Sequence, residues 1–325
     1  MNYNKNINKI KENMTQIKLS PETAGLPDLS KTVLDGLDFF SGQNRPPRLK
    51  LKKPGLIFVV GSVNAHHTGR LLFSQQAALF ADESNFNDLL KIYRPLIKKK
   101  TIKEAIIISA SGEKDSVWEI KAAKKAGLKT SLLTCRADST AARLADLCHV
   151  FNKFPEPYSY NFSTYLGMLL SLSGENPVLI KKYLQKIKKP TNFSRYHYYS
   201  FILPDRFRPL ADMLNVKDDE LFGPYSSLRA YSEGQARHAK FIVSSPQELV
   251  ISFGPNPYFG LVKNRWEIKL PPRTDFALIL SLAYYLTGLI QSSQPPYFKK
   301  GLPAYCRQTG PLPYKQKKPF PLIVE

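Results

Sequence analysis

A chain of 325 residues, 43% of them apolar and 22% charged, can close a real hydrophobic core and is not composed like a disordered protein; its length suits two domains of ordinary size. The formal charge of +21 attracts phosphates of every kind, yet the lysine runs at Lys98–Lys100, Lys181-Lys182, Lys188-Lys189 and Lys317-Lys318 are short, scattered and not interleaved with aromatics, so they read as solvated surface and nucleic acid is not an expected partner. Three cysteines with no CxxC pair exclude a disulfide scaffold and a zinc site of that kind, and point to a reducing, cytoplasmic setting.

Residues 1–54 read as a polar, proline-punctuated leader with one short helix near Leu29–Phe39 and without the apolar core of a signal peptide. Leu56–Val60 is a continuous apolar run, as in a strand buried on both faces, and it ends in Gly61-Ser62. A helical stretch is expected over about Gly69–Ala81. Glu104–Ile108 is a second buried strand that stops at Ser109. A helix follows over Ser116–Ala126, with Gly127 placed as its C-terminal glycine. Thr130–Thr134 reads as a third strand, Ser139 as the N-cap of a helix through Ala145, Leu147–Phe151 as a fourth strand, and Ser163–Ser171 as the start of another helix. Strands alternating with helices through short connections predict a doubly wound parallel α/β domain.

The second half repeats this rhythm less regularly. Tyr198–Leu203 reads as a strand and Arg206–Leu214 as a helix. Glu220–His238 is helix-compatible apart from Gly223-Pro224, and Glu248–Phe253 and Trp266–Leu270 read as strands. Phe276–Ile290 is apolar but is broken by Ser281 and Gly288 and falls short of the roughly 20 residues that a bilayer span needs. It is expected to be a buried helix, with no membrane association. The expected domains are a leader over 1–54, a first α/β domain over 55–190, and a second over 191–325 with a proline-rich tail.

The most informative segment is Ser109-Ala110-Ser111-Gly112-Glu113-Lys114-Asp115, which leaves a buried strand and enters a helix. Ligands of open parallel sheets bind beyond the carboxyl ends of the strands. A helix N-terminus there offers unpaired N–H groups and a positive dipole end to an anion. Ser109 and Ser111 add hydroxyls, Gly112 permits close backbone approach, and Lys114 adds a charge. The alternative is a plain strand–helix loop whose serines are caps.

The order strand–SASGEKD–helix–AGLK–strand–TCRADST–helix–AD–strand resembles the sugar isomerase (SIS) domain of phosphosugar isomerases and of the isomerase part of glucosamine-6-phosphate synthase, whose pattern falls here on Ser109–Lys114, Thr134, Ser139 and Ala145-Asp146. The resemblance covers about residues 56–172 and implies a doubly wound, flavodoxin-like SIS domain followed by a second, trimmed SIS-like α/β domain. It also implies that Ser109, Ser111, Gly112 and Lys114, with Ser62 of the first glycine-rich loop, hold the phosphate of a phosphorylated sugar. Lys114 stands where the family usually has Thr. The first loop, Gly61–Gly69, looks longer than usual and carries His66 and His67, read as exposed loop histidines. No carboxylate at metal-ligand spacing accompanies them, and no metal or other cofactor is expected.

Aldose–ketose isomerisation needs a base, usually a carboxylate, and an acid that helps to open the sugar ring. By the resemblance, His238 in Ala230–His238 falls on the ring-opening histidine, although Ala239-Lys240 follows it in place of Gly-Pro. Glu220 matches the base if two residues are inserted, with Glu233 as its rival, and Lys300 matches a substrate lysine. The space between the strands ending near Phe253 and starting at Trp266 is too short for another helix, hence the expected trimming. The chain has no counterpart of the synthase's glutaminase domain, so glutamine-dependent amination is not expected. The resemblance implies a homodimer, in a family where the histidine can come from the neighbouring subunit. The leading expectation is a phosphosugar isomerase; the alternative is a sugar-phosphate-binding sensor that lacks the chemistry.

Overall fold

The computed structural model describes residues 19–49 and 55–325; residues 1–18 and 50–54 of the expected leader lie outside the described residues. A first sheet contains β1 (Leu56–Val60), β2 (Ala78–Ala81), β3 (Ile102–Ile108), β4 (Lys129–Thr134) and β5 (Leu147–Val150), all parallel, in the order β2-β1-β3-β4-β5. β6 (Glu156–Pro157) belongs to a small ribbon. A second sheet contains β7 (Tyr198–Leu203), β8 (Ser227–Ser232), β9 (Glu248–Ser252) and β10 (Arg265–Glu267), also parallel, in the order β10-β9-β7-β8. β11 (Ile323–Val324) returns to pair antiparallel with β6. The helices, in chain order, are α1 (Pro21–Ala24), α2 (Leu29–Ser41), α3 (Asn64–Leu72), α4 (Phe86–Ile92), α5 (Arg94–Lys98), α6 (Asp115–Lys125), α7 (Thr140–Leu144), α8 (Phe162–Ser173), α9 (Pro177–Gln185), α10 (Arg208–Leu221), α11 (Glu233–Ala236), α12 (Phe276–Ser293) and α13 (Tyr297–Ala304).

The main core lies between the sheets. Val59, Ile106 and Ile108 of the first sheet and Phe201, Leu203 and Ile251 of the second enter one buried cluster through the helices between them. α2 belongs to that layer. Its Leu29, Val33, Leu37 and Phe40 are fully buried, and it crosses α12 at Gly288, where a Cβ would collide with the backbone of Ser30. The first-turn N–H of Leu29 donates to Gln291 Oε1 at 2.8 Å, so α12 supplies the cap that α2 lacks locally. α12 is long and apolar enough by composition to cross a membrane, but 78% of that stretch is buried inside the protein; it is the central core helix.

Three local readings are corrected. The stretch Gly69–Ala81 is not one helix. α3 ends at Leu72, a polar turn follows, and Ala78–Ala81 adds an edge strand to the sheet. The first loop is not long either: α3 begins at Asn64, so His66 and His67 lie on a helix and are half-buried rather than exposed. Third, Glu220–His238 is not one helix: its centre, Ser227–Ser232, is the strand β8. Leu228, Ala230 and Ser232 of β8 are buried in alternation with Ser227, Arg229 and Tyr231, the period-two pattern of an edge strand. A capping box between Ser232 and Gln235 then starts the four-residue α11. The expected trimming of the second unit is present. β9 and β10 are joined through a single 3-10 turn, Val262–Asn264, with no crossover helix.

Candidate functional site

The order of the first sheet reverses between β1 and β3, so the connections leaving these two strands diverge and open a crevice at their carboxyl ends. β3 delivers Ser109–Lys114 to that crevice, and β1 delivers Ser62-Val63. The backbone does the same unusual thing on both sides. Val63 (φ 48°) and Lys114 (φ 55°) are non-glycine residues at positive φ, each immediately before the helix that follows its strand. Such conformations cost about 1–3 kcal/mol and persist only where the surroundings impose them.

The surroundings of the second loop are explicit. Gly112 has φ 61°, and an added Cβ would come within 2.6 Å of the Ser139 side-chain carbon. Its carbonyl accepts the Ala141 N–H at 2.9 Å, and Glu113 Oε1 accepts the Thr140 N–H at 2.9 Å, so α7 braces the loop from below. Thr134 Oγ1 donates to the Ala110 carbonyl at 3.1 Å, and Ser139 Oγ accepts the Ala142 N–H at 3.2 Å as the N-cap of α7. Asp146 fastens the next turn, accepting from Thr130 N at 2.8 Å and pairing with Lys124 at 2.7 Å; these donors hold its carboxyl down to about 2. Within the loop, Ser109 Oγ accepts the Gly112 N–H at 3.2 Å and Ser111 Oγ accepts the Glu113 N–H at 3.3 Å. Each hydroxyl thus keeps its own proton to give away. The first N–H groups of α6 have no acceptor within the helix.

Above the loop lies a cavity of about 940 Å³. Ser62, Ser109, Ser111 and Lys114 all line it. Gly112 is buried beneath, as a spacer. Two further cations reach the wall: Arg136 just after β4 and Lys153 after β5. Burial lowers the pKa of both Lys114 and Lys153. The C-terminal segment completes the enclosure. Pairing of β11 with β6 brings Pro321, Val324 and Glu325 to the cavity, and Lys114 Nζ sits 3.6 Å from the ring centre of Tyr314.

Glu220 lines the opposite wall, in the last turn of α10. It pairs with Lys217 one turn earlier, a fully buried lysine whose ammonium also donates to the Ser159 carbonyl at 2.5 Å. Burial raises the Glu220 pKa against the opposing pull of Lys217. The other three candidates stand apart. His238 and Glu233 are exposed at and just beyond α11, and neither lines the cavity. The segment around Lys300 does reach it, through Tyr297, Phe298, Gly301 and Leu302 of α13, but Lys300 itself is exposed and outside the lining. Neighbouring Lys299 pairs with Asp28 at 3.0 Å. His66 and His67 form no metal centre: among the described residues no three His, Cys, Asp or Glu side chains are grouped to hold an ion. His66 Nδ1 lies 3.0 Å from the Ala81 carbonyl, and burial pushes His67 down to about 4 beside Asp212 of α10, 3.8 Å away.

The C-terminal domain of a glucosamine-fructose-6-phosphate aminotransferase from Francisella tularensis superposes on this structure with a TM-score of 0.57 at 13% identity, covering 82% of this chain and 92% of that one. A glucosamine-6-phosphate deaminase from Thermotoga maritima superposes with a TM-score of 0.53 at 13% identity, covering 82% of this chain and 96% of that one. The fold is that of the SIS proteins. No sequence-family model matches the chain, and no curated protein matches it by sequence. Within the SIS fold, the residues not found from sequence are Arg136, Lys153, Asn64 and Glu119, all on the cavity wall. For Arg136 and Lys153 a signal existed, because both follow strand ends of the first sheet, where ligands of such sheets bind. Asn64 and Glu119 lie on helix faces whose partners no local pattern reveals.

Proposed function

We propose that this chain is a phosphosugar isomerase that grips the phosphate of its substrate at Ser62, Ser109, Ser111, Lys114 and the free amides of α6, and moves a proton between C1 and C2 with Glu220. One observation carries the reading: a single cavity joins a braced, cation-flanked loop to a half-buried carboxylate, Glu220, on α10. In the open-chain sugar phosphate, Glu220 removes the proton from the carbon beside the carbonyl, the C–H electron pair forms the enediol double bond, and the carbonyl oxygen takes a proton from water. The same carboxyl then returns its proton to the former carbonyl carbon as the neighbouring hydroxyl gives its proton to water and becomes the new carbonyl. Burial strengthens the base, and Lys217 holds it in position. The balance needs no oxidant and no metal.

His238 opens the ring only if a second copy carries it to this cavity. The surface beside it suits a partner of that kind: Ile242, Val243 and Tyr258, next in sequence to the Phe241 and Phe259 that pack on the thinly covered face of the second sheet, are 79%, 82% and 79% exposed. The proposed active unit is therefore a homodimer. The tests are deuterium exchange at the carbon-bound protons of fructose 6-phosphate and complementation between subunits. Exchange is expected in the native protein and absent in Glu220→Gln and in His238→Ala, and it returns to about a quarter of native activity when the two inactive variants are mixed and reassembled. A phosphate-dependent thermal stabilisation with no exchange at all would instead identify a binding protein without turnover.

A further inference from the structure

Two buried acceptors line the same cavity unpaired. Among the described residues Asn64 Oδ1 and Glu119 Oε1 have no hydrogen-bond partner, and the two residues are 5% and 1% exposed. Asn64 opens α3 directly after the β1 turn. Glu119 stands one turn inside α6, the helix that the anion loop enters. Buried polar groups are ordinarily paired, and each orphan costs about 1–3 kcal/mol. Neither oxygen suits a phosphate, which also presents acceptors. Hydroxyls, amides and cations converge at Ser109–Lys114, Arg136 and Lys153, while the two orphaned acceptors stand near the starts of α3 and α6.

We propose that Asn64 and Glu119 form a subsite that reads a hydrogen-bond donor, hydroxyl or ammonium, on the carbon skeleton of the ligand. The subsite deepens the sugar-phosphate reading and rests on it. Burial first, and then Asp115 on its own helix with Glu83 and Asp82 from the connection between β2 and α4, pushes the Glu119 carboxyl towards the protonated form, whose carbonyl oxygen still accepts. The ligand's donor satisfies the lone acceptors, and a ligand without one leaves them orphaned, the mode of selection that discriminates most strongly.

Affinities of glucose 6-phosphate, glucosamine 6-phosphate, n-butyl phosphate and inorganic phosphate for the full chain test this by calorimetry, in the native protein and in Glu119→Leu and Glu119→Gln. The expected result is a preference of the native protein for the sugar phosphates over butyl phosphate that shrinks about tenfold in Glu119→Leu, while inorganic phosphate binds all three proteins equally. Glu119→Gln keeps a carbonyl acceptor. If it retains affinity for glucose 6-phosphate, the donor read is a hydroxyl; if it loses glucosamine 6-phosphate selectively, the donor is an ammonium. An unchanged preference in Glu119→Leu, with inorganic phosphate still bound, would overturn the subsite alone. Failure of the native protein to bind inorganic phosphate or any phosphate ester would overturn the sugar-phosphate reading, and the subsite with it.

Discussion

The two parallel sheets share one core but are finished differently. Behind the first sheet, Phe58, Val60 and Ile107 pack against α4, α5 and α6 in a second full cluster of buried side chains. Behind the second, the apolar cluster among the described residues holds only Ile202, Val250 and Ala236, with α11 a single turn long and no helix between β9 and β10. The sheet covered on both faces carries the anion loop, where strained residues such as Lys114 need rigid support. The thinly covered sheet contributes the helix that bears Glu220 and leaves His238 beside an open apolar surface. Support goes to the loop proposed to grip the ligand; the thinly covered face is where the proposed second copy has room.

Removing a large side chain behind each sheet exposes the difference. Phe58→Ala should cost about 4 kcal/mol in urea unfolding, as expected for an emptied aromatic site, and Val250→Ala only about 1 kcal/mol. Equal losses would mean that the second sheet is covered as firmly as the first. Next in size is Gly112→Ala. It forces a side chain into a left-handed backbone conformation and against Ser139, and should cost about 3 kcal/mol together with phosphate binding. A stable Gly112→Ala protein that still binds phosphate would show that α7 does not brace the loop.

A pH comparison sharpens the account of the first sheet further. Glu119 is raised from 4.5 to about 8, mainly by burial and then by Asp115, Glu83 and Asp82. The fold therefore prefers the neutral acid. Below pH 4.5 both folded and unfolded forms carry the proton. Between 4.5 and about 8 only the unfolded chain releases it, so stability is lost as pH rises and levels off above 8. Glu119→Gln removes this penalty. Its gain in melting temperature over the native protein should be near zero at pH 4.5, grow up to pH 8 and then stay constant. A gain independent of pH would place Glu119 outside this environment. The smallest effect belongs to the surface beside His238: Ile242→Ser with Val243→Ser should change monomer stability by less than about 0.5 kcal/mol and halve the mass measured by sedimentation.

The strand–helix alternation and the strand-to-helix loop at Ser109–Lys114 were legible because each carries a local cause. Buried parallel strands read as unbroken apolar runs, and Ser109–Lys114 combines hydroxyls, glycine and a helix start within seven residues. β8 was hidden because its alternation, Leu228-x-Ala230-x-Ser232, is mild and sits between helix-compatible segments. β2 was hidden because four residues, Ala78–Ala81, are too few to show a period. The role of α2 in the core depends on Gln291 and Gly288, more than 250 positions away, and no local pattern announces such a contact. Glu220 was found through a resemblance, but its partner Lys217 and the absence of His238 from the same cavity become visible only in three dimensions.

Calorimetric titration with fructose 6-phosphate and with fructose, in the native protein and in Ser109→Ala with Ser111→Ala, addresses the grip itself. Binding is expected for the phosphate ester alone, and the double variant should weaken it at least tenfold. Equal binding of the unphosphorylated sugar, or an affinity untouched by loss of both hydroxyls, would contradict the anion loop and the isomerase reading built upon it.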